Sequence, residues 1–273
     1  MSRILKMLRI YNWSDLHLDY NNCDDILKIL STINVDKSHT NCLIIPGDLA
    51  SPFFNLNKFL DFVSNTFNNV FYVAGNHEYY SDYKTMNEVR DKIKDNIKKY
   101  NNITFLNNEV VKKYGYNFIG TTLWSKIPEQ DKRFIKNNIN DYNHIYIKMD
   151  DYLCNISVND TNLYNKANIH FLNKNINDGK CIVITHHAPL FGSELTPTCN
   201  EKYYNSKNNS AFHNNLSELI KSPIELWIYG HTHHTSKFKF NNVLLWTNQY
   251  GYTFENNLFN VNDYVELEII DSE

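Results

Sequence analysis

The chain has 273 residues, 42% hydrophobic and 21% charged, with 27 Lys and Arg against 30 Asp and Glu for a net charge of −3. That balance excludes a disordered chain and a coiled coil, and it carries none of the basic excess that drives nonspecific binding to nucleic acid or anionic lipid. The length suits one large domain over 1–273 with a sizeable core. Cys23, Cys42, Cys154, Cys181 and Cys199 are odd in number, widely spaced and never C-x-x-C, which argues against a disulfide framework and a structural zinc knuckle and for a reducing compartment. No stretch approaches the roughly 18 apolar residues of a membrane span, and the opening apolar run is short and soon followed by Asp15. A cytoplasmic protein without a membrane anchor is therefore expected. The 43 asparagines, with abundant Ile, Lys and Tyr, report an A/T-rich genome more than a function.

In chain order, Leu8 to Trp13 reads as a strand that ends at Ser14-Asp15-Leu16-His17, and Ile26, Ile29, Leu30 and Ile33 then carry a helical period. A second strand, Cys42 to Ile45, ends at Pro46-Gly47-Asp48. Leu56, Phe59, Leu60, Val63 and Phe67 follow at i, i+3, i+4, i+7 and i+11 in a second helix. The third strand, Val70 to Val73, ends at Ala74-Gly75-Asn76-His77-Glu78, before a helix marked by Met86, Val89, Ile93, Ile97 and Tyr100. Short strands follow at Ile103 to Leu106 and Tyr116 to Ile119. The stretch 126–160 is polar and weakly periodic and reads as an insertion over the site. Beyond it come a helix from about Asn162 to Asn175 and a strand, Cys181 to Ile184, that ends at Thr185-His186-His187-Ala188-Pro189. A helix from Ala211 to Ile220 precedes the strand Leu226 to Tyr229, which ends at Gly230-His231-Thr232-His233. Ser236 to Phe240, Val243 to Trp246 and Tyr264 to Ile270 complete the strands, with Asn241-Asn242 as a hairpin turn. The pattern predicts an α/β protein: a largely parallel sheet, flanked by helices, packed on a second and more antiparallel one.

Ligand-type residues gather where predicted parallel strands end, which is where open α/β sheets form their binding crevice. Each signal alone is weak. Asp15 and His17 suit an ordinary loop, Gly47-Asp48 and Asn76 are common in turns, and one H-x-H pair among 11 histidines is unremarkable. The conjunction D-x-H, G-D, G-N-H-E, H-H-x-P and G-H-x-H, in that order and each after a strand, resembles the calcineurin-like metallophosphoesterase superfamily over roughly Leu8 to Tyr252.

The resemblance implies a four-layer αββα sandwich and a dinuclear centre. Asp15, His17, Asp48 and His233 would hold one divalent ion, and Asp48, Asn76, His186 and His231 the other, with Asp48 bridging. A donor set rich in imidazole suits Mn, Fe, Zn or Ni over Mg or Ca, with Mn the first expectation. His77 would face the leaving group as general acid or electrostatic stabiliser, with Glu78 as its orienting partner, while a metal-bridging hydroxide attacks phosphorus in line. His187 is left as a contact behind the ligands or to substrate, and His234 as a surface residue. His39, His144, His170 and His213 read as structural or solvated. Gly120 to Trp124, Asn140-Asp141-Tyr142, Ala211-Phe212 and Asn248 to Tyr252 look like a subgroup of small bacterial and viral metallophosphoesterases. That subgroup often has a basic residue where Gln249 stands, and the Trp124 segment equally suits an aromatic strand.

Several functions share this machinery. Phosphoprotein phosphatases of the superfamily continue the second motif as G-D-x-x-D-R, whereas this chain runs Gly47-Asp48-Leu49-Ala50-Ser51-Pro52. A metal-dependent nuclease has no electrostatic support in the neutral charge balance, and a non-catalytic scaffold disagrees with the full ligand set. The reading that remains is hydrolysis of a small-molecule phosphate ester or nucleotide, diester or monoester.

Overall fold

The computed structural model describes residues 6–177, 179–255 and 258–270. The chain begins β1 (Met7–Asn12), α1 (Cys23–Leu30), β2 (Thr40–Ile45), α2 (Asn57–Thr66), β3 (Asn69–Tyr72), α3 (Met86–Ile97) and β4 (Ile103–Phe105). These strands pair in parallel with their successors, and the three helices supply the crossovers that parallel pairing requires. Side chains explain two of the helix starts: Asn22 accepts the Asp25 N–H before α1, and Thr85 and Glu88 form a reciprocal capping box before α3. Along the strands Leu8, Ile10, Cys42 and Ile44 face one way and Tyr11, Trp13, Leu43 and Ile45 the other, and both sets are buried. Burial on both faces makes these strands unbroken apolar runs in the sequence.

The chain continues with β5 (Glu109–Lys113), β6 (Tyr116–Thr121), α4 (Lys132–Asn138), α5 (Asp141–His144), β7 (Tyr146–Met149), β8 (Tyr152–Asn155), α6 (Val158–Asn175) and β9 (Cys181–Thr185). It ends with α7 (Asn209–Phe212), β10 (Ile224–Ile228), β11 (Ser236–Phe240), β12 (Val243–Thr247) and β13 (Tyr264–Glu268). One sheet runs β13-β1-β2-β3-β4, the other β11-β12-β10-β9-β6-β5, and β7-β8 form a separate hairpin. The two mixed sheets pack face to face. Leu8, Ile10, Ile44 and Phe71 of the first meet Phe118, Ile184, Ile228 and Trp246 of the second, and the Phe71 and Phe118 rings stack at 4.3 Å. Leu30, Leu60, Val63, Val89 and Ile93 cover the outer face of the first sheet, and Leu172 of α6 packs on the second. This is the expected α/β class with αββα layering.

Four expectations need correction. The second sheet is parallel through β12-β10-β9-β6, and only its edges β5 and β11 pair antiparallel. β5 was not foreseen, because its Glu-Val-Val-Lys-Lys run lies on an exposed edge and lacks a buried pattern. The helix expected near Asn162 begins at Val158, where Ser157 and Asp160 make a capping box. The helix expected from Ala211 to Ile220 is only the turn α7. His213 is extended, the Asn214 N–H bonds Ala188 O, and the apolar residues divide between two cores, Ala211 in one and Leu216 and Ile220 in the other. Asn241 and Asn242 do form the β11–β12 turn, both with positive φ. Among the described residues no helix is long and apolar enough to cross a membrane.

Candidate functional site

The loops that follow β1, β2, β3, β9 and β10 meet at one end of the sandwich. Backbone bonds stitch them together: Asp15 N–H to Gly47 O, His17 N–H to Asp48 O, and Gly230 N–H to His186 O. Asp15, His17, Asp48, His231 and His233 all have φ between 44° and 72°. A non-glycine residue pays roughly 1–3 kcal/mol for such a conformation, so the surrounding bonds hold these loops in shapes that the side chains alone disfavour. Gly75 leaves room for the result. A Cβ there would overlap Asp48 Oδ1 and lie 2.6 Å from His186 Cε1.

The side chains form two overlapping clusters, Asp15, His17, Asp48 and His233 in one, and Asp48, His186 and His231 in the other. Within each, one ligand atom per residue lies within 4.8 Å of the rest. Asp48 belongs to both. In the first, His17 Nε2 is 3.0 Å from His233 Nε2 and 3.8 Å from Asp48, and His233 is 3.6 Å from Asp15. In the second, His186 Nε2 lies 3.0 Å from Asn76 Oδ1, 3.1 Å from His231 Nδ1 and 3.4 Å from Asp48. Donors that share one ion at about 2.1 Å each sit about 3–3.5 Å apart, so this spacing fits metal ions. The chemistry of the donors fits too. Burial pushes the His17 and His231 imidazoles well below their ordinary pKa, which keeps a lone pair free. Burial also opposes charge on His186, yet Asp48, Asp15 and Glu78 together outweigh that and raise the imidazole to about 9. The carboxylates draw in positive charge.

Further residues hold these groups. Ser14 Oγ donates to Asp15 Oδ2, and the His231 N–H donates to Asp15 Oδ1 at 3.0 Å. Glu255 lies 2.6 Å from His233 Nδ1. Gln249 is fully buried: its Oε1 accepts the His233 N–H, and its Nε2 donates to Thr232 Oγ1, His234 O and Thr247 Oγ1. A residue so engaged braces the G-H-x-H loop and leaves no group for a phosphate. Asp141 accepts from Asn76 Nδ2 at 2.8 Å and from Tyr80 OH at 2.6 Å. His187 is buried with Nδ1 3.3 Å from Thr122 O and its ring 4.2 Å from His231, so it packs behind the cluster. Trp124 falls beyond the end of β6, 5.4 Å from the His187 ring. His234 is half-buried, His144 and His170 are exposed, and His39 accepts the Met7 N–H.

The expected pairing of Glu78 with His77 is overturned. Glu78 is fully buried and its carboxylate accepts from the backbone N–H groups of Asp48, Leu49 and Gly75 and from Tyr72 OH. It braces the metal-side loops from behind. His77 begins a single turn of 3-10 helix, Glu78 is the next residue in it, and consecutive side chains there point apart.

A cavity of about 390 Å³ opens beside the clusters, lined by Asp48, Asn76, His77, His231 and His233 and walled by Asn138 to Asp141, Tyr203, Phe212 and Tyr252. His77 is among its lining residues. Its ring stacks on Tyr80 at 4.3 Å, its backbone N–H donates to Asp48 Oδ1, and its ring Nε2 is 3.5 Å from Tyr252 OH. Tyr252 in turn stacks on His17 at 4.7 Å. The sequence reading missed Asp141 and Glu255 as parts of this site. Only the grouping Asn140-Asp141-Tyr142 hinted at the first.

The chain matches the calcineurin-like phosphoesterase family over residues 8–235 and belongs to that family. It is a phosphoric ester hydrolase. It is 39% identical over 267 residues to an uncharacterised protein of Acanthamoeba polyphaga mimivirus, covering 93% of this chain and 95% of the relative. Among solved structures it is similar in fold to the phosphopantetheinyl hydrolase of Mycobacterium tuberculosis, with a TM-score of 0.64, 14% identity and 91% of each chain covered.

Proposed function

We propose that this hydrolase acts on small-molecule phosphate esters through a dinuclear centre of divalent transition metals. Asp15, His17, Asp48 and His233 hold one ion, Asp48, Asn76, His186 and His231 the other. The observation that carries the reading is the membership of Asp48 in both clusters, since a carboxylate offers two charged oxygens to two cations. Metals bound there supply positive charge for the phosphoryl oxygens and activate the attacking water in an in-line displacement. The chain does the rest. Its positive-φ loops fix the donors before substrate arrives, and Asn76 adds a neutral oxygen that does not deepen the negative charge. His77, lining the cavity and outside both clusters, delivers a proton to the departing oxygen. The cavity falls within the 300–1,000 Å³ range of small-molecule sites, which favours a nucleotide or metabolite ester over a nucleic acid. Mn is the first metal to test, then Fe, Zn and Ni.

The test is titration of the metal-free protein with Mn, together with assays of chromogenic monoesters and diesters under Mn, Ni and Zn. Two ions per chain and metal-dependent hydrolysis are expected. Uptake of a single ion at saturation would end the dinuclear reading, and hydrolysis that survives complete chelation would end the metal mechanism.

A further inference from the structure

Asp141 comes from the 126–160 stretch, outside every motif that follows a strand, yet it reaches the centre of the site and is 5% exposed. The group it meets is ambiguous by nature. The two ends of an Asn side chain have nearly the same shape and opposite hydrogen-bonding character, and only the oxygen end can serve a cation. Asn76 directs Nδ2 to Asp141 Oδ1 at 2.8 Å and leaves Oδ1 3.0 Å from His186 Nε2. An ionised carboxylate only accepts hydrogen bonds, so it can face the NH₂ end and not the other. Asp141 Oδ1 also accepts from Tyr80 OH at 2.6 Å, and the Tyr80 ring stacks on His77 at 4.3 Å. Backbone bridges from Tyr80 to Ile145 and from Thr85 to Tyr146 tie this segment to the loop that carries His77.

We infer that Asp141 is a positioning residue that selects the oxygen end of Asn76 for the second cluster and, through Tyr80, sets the ring of His77. The inference rests on the dinuclear reading above. The segment 126–160 then does more than wall the cavity, since it completes the metal site from outside the five ligand-bearing motifs that follow strands.

The test is calorimetric titration of metal-free protein with Mn, read as two affinities. Asp141→Ala should weaken one of the two ions about 10–100-fold, the usual effect of losing a group that orients a metal ligand, and leave the other unchanged. Asp141→Asn keeps an acceptor at the same place and should stay closer to wild type than to Asp141→Ala. A pair of variants tests the contact directly and does not depend on Asp141→Ala folding. Asn76→Asp alone sets two carboxylates against each other and should lose the second ion, and adding Asp141→Asn should restore at least about tenfold in affinity. If Asp141→Ala binds both ions as wild type does, or the double variant is no better than Asn76→Asp, the role assigned to Asp141 is wrong and the dinuclear site stands. If wild type itself binds one ion, the dinuclear reading has failed first.

Discussion

Glu255 accepts the Nδ1–H of His233 at 2.6 Å, which leaves Nε2 as the nitrogen that faces Asp15 and His17. The pairing fixes both the tautomer and the ring plane of a candidate ligand. Burial acts to raise the Glu255 carboxyl, but its partner His233 outweighs that and holds it below its usual range. Glu255→Ala should therefore weaken the ion at the first cluster by about 10–100-fold and spare the second. Competition against a chromophoric chelator measures this, and equal loss at both clusters would contradict it.

His77 supplies no donor to either cluster. His77→Ala should keep both ions and the fold while turnover falls about 10²–10⁴-fold, most on esters with poor leaving groups. A plot of rate against leaving-group pKa should steepen in the variant. Loss of an ion instead would make His77 a ligand.

Gly75→Ala tests the packing of the centre. The new Cβ runs into Asp48 Oδ1 and the His186 ring, both of which lie deep in the site. Overpacking of this kind typically costs about 1–3 kcal/mol, and here Asp48 is the group that must move. Metal uptake should fall at both clusters while far-UV circular dichroism is unchanged. Full metal content in this variant would show that Asp48 has slack.

His213 lines the cavity but belongs to neither cluster, and it offers a pH test. It is 1% exposed, and burial lowers its imidazole to about 4 from an ordinary 6.5. Because the folded value is the lower one, the unfolded chain takes up the proton first as pH falls. The contribution to stability is complete above about pH 6.5 and is lost progressively down to about pH 4, a swing of about 3 kcal/mol. With chelator present, urea unfolding of His213→Gln should vary less with pH over that window than wild type. Parallel curves would refute the assignment.

The sequence was most legible where chemistry is local. A buried strand announces itself by an apolar run, and the residues that cap it follow at once, so Asp15, Asp48, Asn76, His186 and His231 all stand beside their own signal. Asp141 and Glu255 had no such signal, because each acts on a residue far along the chain, Asn76 and His233, through side-chain reach alone. Glu78 misled by adjacency: it follows His77 in sequence while its carboxylate serves the Asp48 and Gly75 loops. Gln249 stands where the resembling subgroup often has a basic residue, and its burial among four hydrogen-bond partners shows that here the position serves the loop. Leu216 and Ile220 imitated a helical stripe because they flank one turn, closed by the Ile220 N–H bond to Leu216 O, and join the same core as Trp227 and Leu245, so a spacing of four residues arises without a helix.

Asp15, His17, Asp48 and Asn76 follow strands of one sheet, and His186, His231 and His233 follow strands of the other. Each cluster draws from both layers, so an ion held there acts as a rivet through the sandwich. Its binding energy belongs to the whole molecule: at free metal one hundred times the dissociation constant, about 2.7 kcal/mol is added per ion against unfolding. Stripping the metal should loosen the seam between Phe71 and Phe118, which do not line the cavity, and amide exchange in β3 and β6 would register it. In a metal-starved cell such a chain would lose stability as well as activity, and the supply of ions would set how long it survives.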